Sequence, residues 1–551
     1  MNRETERHFS EIPEIDIKRS KFKIPFDHKT TFNAGELIPF YVAEVLPGDT
    51  CSIDLSTVIR MSTPLYPIMD NAICDVTFFF IPNRIVWNHW KNFWGETDYA
   101  WWDSSVEYEI PQITTALNHT FQAKSVADYM GLPTGIAGLS VSALPFRCYA
   151  KVWGDWWRDE NLQQAPALTL TDSNSQTDST AEKGGTLLKA NKTHDYFTSS
   201  LPYPQRGPDT LLPLGTYAPV YAGTTDISAT LLKNPLKFHT TDSAQLPREN
   251  NPFFAKRVAT NFETAEAYSS NNDVTASSSL HPLTPANLFA DLTRATSATI
   301  SQLRMAFSLQ TFYEAMARGG NRYIEFVKNI FGVTSPDARL QRSEYLGGKR
   351  FSINVNQVLQ TSSTDSTSPQ GNTGAYSHTA DVGKYFTKSF TEHGYIIGLM
   401  CVREDEHTYG QGIEAMWSRK KWYDFYTPQL AFISEQPVYN KEIYAQGTSE
   451  DNEVFAYQEA WASGYRYKPN ICSGAMRTTY AQSLDAWHYA DHYTQLPVLG
   501  NTWIQEDKSN FDRTLAVTSE VENQFIADIF VDTTWVRPMP VYSIPGLGSY
   551  L

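Results

Sequence analysis

Two runs within the first ninety residues set the terms for the whole chain. From Arg19 to Thr50 it reads RSKFKIPFDHKTTFNAGELIPFYVAEVLPGDT, and from Arg60 to Trp90 RMSTPLYPIMDNAICDVTFFFIPNRIVWNHW. Leu37–Leu46 is apolar with polar interruptions and stops at Pro47-Gly48-Asp49, a turn signal. Ile73–Ile81 starts as an alternation, with Ile73, Asp75 and Thr77 set against Cys74, Val76 and Phe78, and ends as a solid aromatic run. A strand wetted on one face keeps alternating, so a run that stops alternating predicts a strand covered on both faces. The chain is committed early to strands broken by tight turns, with no catalytic signature among them.

Upstream, residues 1–31 are polar with scattered apolar anchors. Within 18–29, Lys18, Arg19, Lys21, Lys23 and Lys29 oppose only Asp27, a local net charge of +4. An extended arm fits this pattern, and an ordinary disordered terminus would read the same way. Downstream the period changes. Trp87, Trp90 and Trp94 share one face of a helix over 84–94, and Tyr149, Trp153 and Trp156 do so over Phe146–Leu162. Ala286–Gly319 predicts the longest helix, starting beside Pro285, with Ile300, Leu303 and Phe307 on its apolar face and Gly319-Gly320 ending it. Tyr323–Phe331 predicts a second, short helix, and 334–380 reads as loop. From Gly394 onward strands return. The tail RPMPVYSIPGLGSYL cannot be helical with Pro538, Pro540 and Pro545 so close together.

Residues 218–288 differ from their surroundings. They are rich in Thr, Ser, Asn and Ala, and their six acidic residues nearly cancel five basic ones. Structureless loops beyond about 15 residues are uncommon inside a fold, so the segment predicts a protruding insertion.

At 551 residues the chain exceeds what one compact core organises, about 250–300 residues. Several domains or large insertions are required. Aromatic residues make up 13% and charged residues only 19%, a surface poor in charge and rich in rings. Obligate assembly uses such rings, and a large sugar-binding protein would too. A net charge of −15 argues against a protein that wraps nucleic acid unaided, because phosphates are neutralised by Lys and Arg. The five cysteines, Cys51, Cys74, Cys148, Cys401 and Cys472, contain no Cys-x-x-Cys pair, and no signal-peptide core or bilayer-length apolar run is present. These features predict a soluble protein made in a reducing cytoplasm, with free thiols.

No phosphate-binding loop, nucleophile elbow or His-Glu-x-x-His site occurs. Three weaker constellations remain. In Glu404-Asp405-Glu406-His407 consecutive acids point in different directions, so a solvated turn is expected rather than a cation site. His488 and His492 would share a helix face, but among Trp487, Tyr489 and Tyr493, with no nearby Cys, a packed aromatic helix is expected rather than a zinc site. Arg419, Lys420, Lys421 and Trp422, with Tyr423, Phe425 and Tyr426, interleave cations and rings. That composition suits single-stranded nucleic acid, where bases stack on rings and cations follow phosphates, and a subunit interface would use the same residues.

A resemblance spans nearly the whole chain. After the first ninety residues come LPFRCYAKVWGDWWRDENLQ (144–163), HDYFTSSLPYPQRG (194–207), ATSATISQLRMAFSLQ (295–310) and FGVTSPDARLQRSEYLGG (331–348). SFTEHGYIIGLMCVRED (389–405), YKPNICSGAMRTTYAQSLDAWHYA (467–490) and RPMPVYSIPGL (537–547) follow in order. Together these resemble the major capsid protein of the Microviridae, small single-stranded DNA phages, in their gokushovirus branch. The departures fall mainly in 218–288 and 360–366.

The resemblance implies a mainly β fold: an eight-stranded antiparallel jelly roll of the viral capsid type, carrying long helical and loop insertions. It implies a shell protein assembled from sixty copies into a T=1 icosahedral capsid around circular single-stranded DNA; the missing motifs predict no enzymatic activity, and no cofactor or metal-ligating residue is expected. A small basic DNA-binding protein, a pilot protein, an internal scaffolding protein and a bacterial host surface receptor are the implied partners, with synthesis in the host cytoplasm. The expected organisation is an extended arm at 1–31, core strands in 32–82 and 394–535, and a helical and loop insertion at 83–217. A surface protrusion at 218–288, a second helical and loop insertion at 289–393 and an extended tail at 536–551 complete it. The expected DNA contacts are Lys18, Arg19, Lys21, Lys23, Arg419, Lys420, Lys421 and Trp422. Leu231, Leu232, Phe238, Phe253, Phe254 and Phe262 are expected to pack around a three-fold axis in the protrusion. The competing class is a carbohydrate-active or carbohydrate-binding β-rich protein, which would also use many Trp and Tyr beside paired acids.

Overall fold

The computed structural model describes residues 18–96, 107–115, 120–173, 179–208, 210, 300–364 and 369–542, together with the backbone of short strands at 175–176 and between 220 and 290. It divides into two units, residues 1–206 with 315–551, and residues 207–314.

The first unit is built on two four-stranded antiparallel sheets. Their strands in chain order are β1 (Ser20–Phe32), β2 (Ile38–Val45), β3 (Thr50–Met61), β4 (Ala72–Pro82), β5 (Glu344–Ser352), β6 (Thr379–Ser389), β7 (Gly394–Glu404) and β8 (Phe525–Arg537). One sheet has the order β1-β8-β3-β6, the other β5-β4-β7-β2. Registers are long: Ser20 to Phe32 of β1 pair one for one with Arg537 to Phe525 of β8.

In the first sheet β3 and β8 alternate. Cys51, Ile53, Leu55, Ile59 and Met61 are buried while Asp54, Val58 and Arg60 are exposed. β8 does the same from Phe525 to Trp535. The second sheet does not alternate. Every residue of β4 but Thr77 is buried. Cys74, Val76, Phe78 and Phe80 join the core shared with the first sheet, whereas Phe79 and Ile81 join a second core with α1 (Leu144–Val152). The solid run therefore marks a strand covered on both faces, as its pattern predicts. Pro145 in the first turn suits helix initiation, and the Tyr149 hydroxyl donates to the Leu37 carbonyl at 2.8 Å, tying α1 to the sheet. A third, smaller core gathers Phe197, Tyr409, Val438, Phe455 and Trp503 around the hairpin Glu435–Tyr439/Val454–Glu459.

Several expectations need correction. Ser20–Phe32 is not an arm ahead of the sheets but an edge strand of the first one. Segment 289–393 is not purely insertion, because β5 and β6 close an edge of each sheet. All three are edge strands with polar sequences, which carry little of the alternation that reveals a half-buried strand. Between β5 and β6, Val355–Leu359 and Thr373–Ser377 form a hairpin where loop was expected. The helix over 84–94 is reduced to the turns Asn83–Ile85 and Trp90–Phe93; Trp87 and Trp90 are buried but Trp94 is exposed. α1 ends at Val152 and continues as a π-helical turn over Trp153–Trp157. Residues 488–492 are not helical: only the 3-10 turn Asp485–Trp487 precedes them.

The second unit contains nested antiparallel pairs. Val220–Ala222 pairs with Leu288–Ala290, Phe238–Thr240 with Leu283–Pro285, and Phe254–Arg257 with Ala265–Tyr268. The chain goes out and returns along itself. This pairing puts strand where the long helix was expected to begin; α2 runs Ile300–Gly319 and starts only after it. Ile300, Leu303 and Phe307 do share α2, but all three are exposed. Tyr323–Phe331 forms α3 as expected, closed by Gly332 in a left-handed conformation. No helix among the described residues is long and apolar enough to cross a membrane.

Candidate functional site

The interleaved cations and rings lie in the segment between β7 and the hairpin at Glu435, on short 3-10 turns at Ala415–Ser418, Trp422–Asp424 and Pro428–Leu430. Such turns cannot bury a continuous face, so the large side chains point outward. Phe432 is 99% exposed, Trp422 75% and Trp417 74%. The Arg419 guanidinium sits 4.2 Å over the Tyr465 ring and 5.8 Å from that of Phe425, and Lys421 Nζ lies 5.3 Å over Tyr423. The Asp424 carboxylate accepts the backbone N–H groups of Lys420 and Lys421, each at 2.7 Å. Those two bonds hold it below its usual range and fix the turn that presents both lysines. Alongside lies a cleft of about 550 Å³ lined by Arg419, Tyr423, Lys441, Glu442 and Trp461.

The structure brings Arg419, Lys421 and the rings together as the sequence suggests. Lys18, Arg19, Lys21 and Lys23 lie on a different element, at the start of β1. They are exposed, but Lys23 is paired with Asp532 of β8 at 2.8 Å. Of the six residues expected at a three-fold axis, Phe238 and Phe254 lie in the short paired strands, and Leu231, Leu232, Phe253 and Phe262 fall outside the described residues.

A second charged constellation is internal. At the end of β7 the run Glu404–His407 divides: Glu406 is exposed and Asp405 half-buried, but Glu404 and His407 are each only 2% exposed. The expected solvated turn is therefore a buried one, and Glu506, also 2% exposed, completes it from a distant segment. His407 Nδ1 lies 2.7 Å from Glu404 Oε2, and its Nε2 lies 3.5 Å from Glu506 Oε2. Burial alone would lower the His407 imidazole, but the two carboxylates outweigh it and hold it well above its usual value. Burial pushes Glu404 up to about 8.

Beside this cluster the Lys192 ammonium meets Asp491 at 2.5 Å, both fully enclosed. Asp491 also accepts from Asn510 at 2.6 Å and Tyr493 at 2.8 Å. Burial opposes ionisation of Asp491, but Lys192 overrides it and draws the carboxyl down to about 2. His488 is buried with Nε2 2.8 Å from the Met476 carbonyl, and its nearest thiol, Cys472, stands 4.0 Å away. That ring is thus committed to its own backbone. All five cysteines are free.

These features define a β-rich protein with a ring-rich, charge-poor exterior and a densely paired interior. Residues 10–547 match the model of the family described as Capsid protein (F protein). The chain is 45% identical to the capsid protein VP1 of Spiroplasma virus 4 over 98% of its length and 97% of that protein. It is 40% identical to the capsid protein VP1 of Bdellovibrio phage phiMH2K, covering 99% and 98% of the two chains. With the capsid protein VP1 of Chlamydia phage 1 the identity is 38% over 98% and 97%. The chain belongs to this family of phage capsid proteins, and the resemblance to Microviridae capsids read from its sequence is borne out.

Proposed function

We propose that the chain is a major capsid subunit whose sixty copies close a T=1 icosahedral shell around circular single-stranded DNA, without catalytic turnover. The observation that carries this reading is the family match over residues 10–547 on a chain organised as two facing four-stranded sheets. In chain order the strands β1, β3, β6 and β8 fall in one sheet and β2, β4, β5 and β7 in the other. That connectivity is what two Greek keys folded together produce, and it supports the viral jelly roll. Large exposed rings such as Trp417, Trp422 and Phe432 support association, since contiguous apolar patches on a subunit are normally covered by a partner.

Shell lining by Arg419, Lys420, Lys421 and Trp422, with Lys18, Arg19, Lys21 and Lys23, is the reading for genome contact. Exposed cations beside exposed rings are what single strands bind. Because the chain is net acidic, a separate basic protein would supply further countercharge inside, with pilot and scaffolding proteins as assembly partners. Residues 218–288 would form the three-fold protrusion and meet the host receptor.

Electron microscopy of the purified protein tests the shell: closed uniform particles are expected, and monomers alone overturn it. Replacing Lys420 and Lys421 by Gln should lower packaged DNA with subunit unfolding unchanged; unchanged packaging removes that patch from the interior. Replacing 225–280 by a short Gly/Ser linker should leave shells intact and reduce host adsorption; unchanged adsorption places the receptor surface elsewhere.

A further inference from the structure

We propose that Glu404, His407 and Glu506 form a buried site for one divalent transition-metal ion. One ligand atom from each lies within 4.8 Å of the other two, and all three residues are buried. An imidazole with two carboxylates is a donor set for ions of the Zn²⁺ class, whereas Ca²⁺ and Mg²⁺ favour oxygen alone.

The second observation is the state of the donor atoms. Although His407 Nδ1 is close to Glu404 Oε2, the contact is out of line for a hydrogen bond. Both ring nitrogens, Glu404 Oε1 and both carboxylate oxygens of Glu506 are buried without a hydrogen-bond partner. Unpaired buried acceptors are costly, and a buried carboxylate without compensation more so. Glu506 thus places two oxygens that accept no hydrogen bond against an imidazole.

Formal charge points the same way. The two buried cations that act on Glu506, Lys192 and Arg403, are already matched by Asp491 and Asp75. A divalent ion taking the place of the imidazole proton would face two carboxylates and a neutral imidazole, a charge of −2 that it cancels. The ligands are also held from behind. The Glu506 N–H donates to the Ala190 carbonyl at 3.1 Å, and the Gly35 N–H to the Val402 carbonyl at 2.9 Å. Gly35 has φ +74°, and a Cβ built on it would stand 2.9 Å from Glu506 Cβ, so only glycine allows Glu506 this position. The ion would join β7 to the segment around Glu506, a hundred residues later.

The test uses the full-length protein, stripped with EDTA, dialysed and returned to ZnCl₂. Bound metal is read by elemental analysis and thermal stability by calorimetry. Close to one zinc per chain and a raised Tm are expected. Both Glu506→Gln and His407→Gln should weaken zinc binding by more than about tenfold, since even outer-shell changes cost that much. No zinc uptake by the stripped wild-type protein overturns the proposal and leaves an imidazolium held between two carboxylates. Undiminished uptake in both variants overturns it as well. Should neither variant fold, X-ray absorption on the zinc-loaded wild type decides: one imidazole among oxygen ligands supports the site, and sulfur or oxygen-only coordination overturns it.

Discussion

The two sheets of the first unit obey different burial rules. β3 and β8 keep one face wet, so their residues alternate and half of each strand tolerates polar side chains. β4 and β7 are packed from both sides, against the facing sheet and against α1, and their sequences lose the alternation. A strand's pattern thus reports how many layers cover it, and the same substitution should have different consequences in the two sheets.

The largest contrast is expected between two phenylalanines. Phe79 is buried on the α1 side of β4, whereas Phe530 on β8 is 43% exposed. Phe79→Ala should cost about 3–5 kcal/mol and Phe530→Ala below about 1 kcal/mol, read from urea unfolding of the isolated subunit. Equal costs would show that the wet face of the first sheet is covered after all.

Charge pairs should sharpen the same contrast. On β4 the Asp75 carboxylate is clamped by Arg350 at 2.7 Å and by Arg403 of β7. Burial alone would raise Asp75, but Arg403 and Arg350 outweigh it and hold it below its usual range. Arg403→Met strands that charge. The expected loss is about 3 kcal/mol, the low end for a broken buried pair because Arg350 remains. A depressed folded-state carboxyl stabilises above its unfolded value, near pH 4, and that contribution is lost as pH falls through the folded value. Acid titration of stability should therefore be flatter in Arg403→Met than in the wild type below about pH 4; identical profiles would remove Asp75 from the account.

The smallest effect belongs to the open sheet. Lys23 is paired with Asp532 across β1 and β8, but its side chain is 66% exposed. Lys23→Ala should change stability by about 0–1 kcal/mol, and any such effect should fade in high salt. A salt-insensitive loss would mean the pair is shielded.

Legibility in the sequence followed the same rule. Ile73–Ile81 announced its two-sided burial because a covered strand needs apolar residues at every position. β5, with its Gly347-Gly348 pair, and β6, rich in Thr and Lys, gave no such signal, because an edge strand has one neighbour and keeps much of its length in water. Arg419, Lys421 and their rings were legible because they are neighbours in sequence. The cluster at Glu404 and His407 was not: Glu406 does point outward as four polar residues in a row suggest, and only the arrival of Glu506 turns the other two into an interior site. Burial created by a segment a hundred residues away leaves no local trace.

The order β1-β8-β3-β6 bears on how the chain is made. β8 lies between β1 and β3, although some five hundred residues of synthesis separate β1 from β8. While the polypeptide emerges from the ribosome, all four strands of the other sheet are available once Glu404 has appeared, yet β1 has no neighbour until Phe525–Arg537 is translated. Pairings so distant in sequence form slowly and leave strand edges unpaired meanwhile. A prematurely terminated chain would therefore carry one finished sheet and one split sheet, and could not present the completed surface that a neighbouring copy would meet.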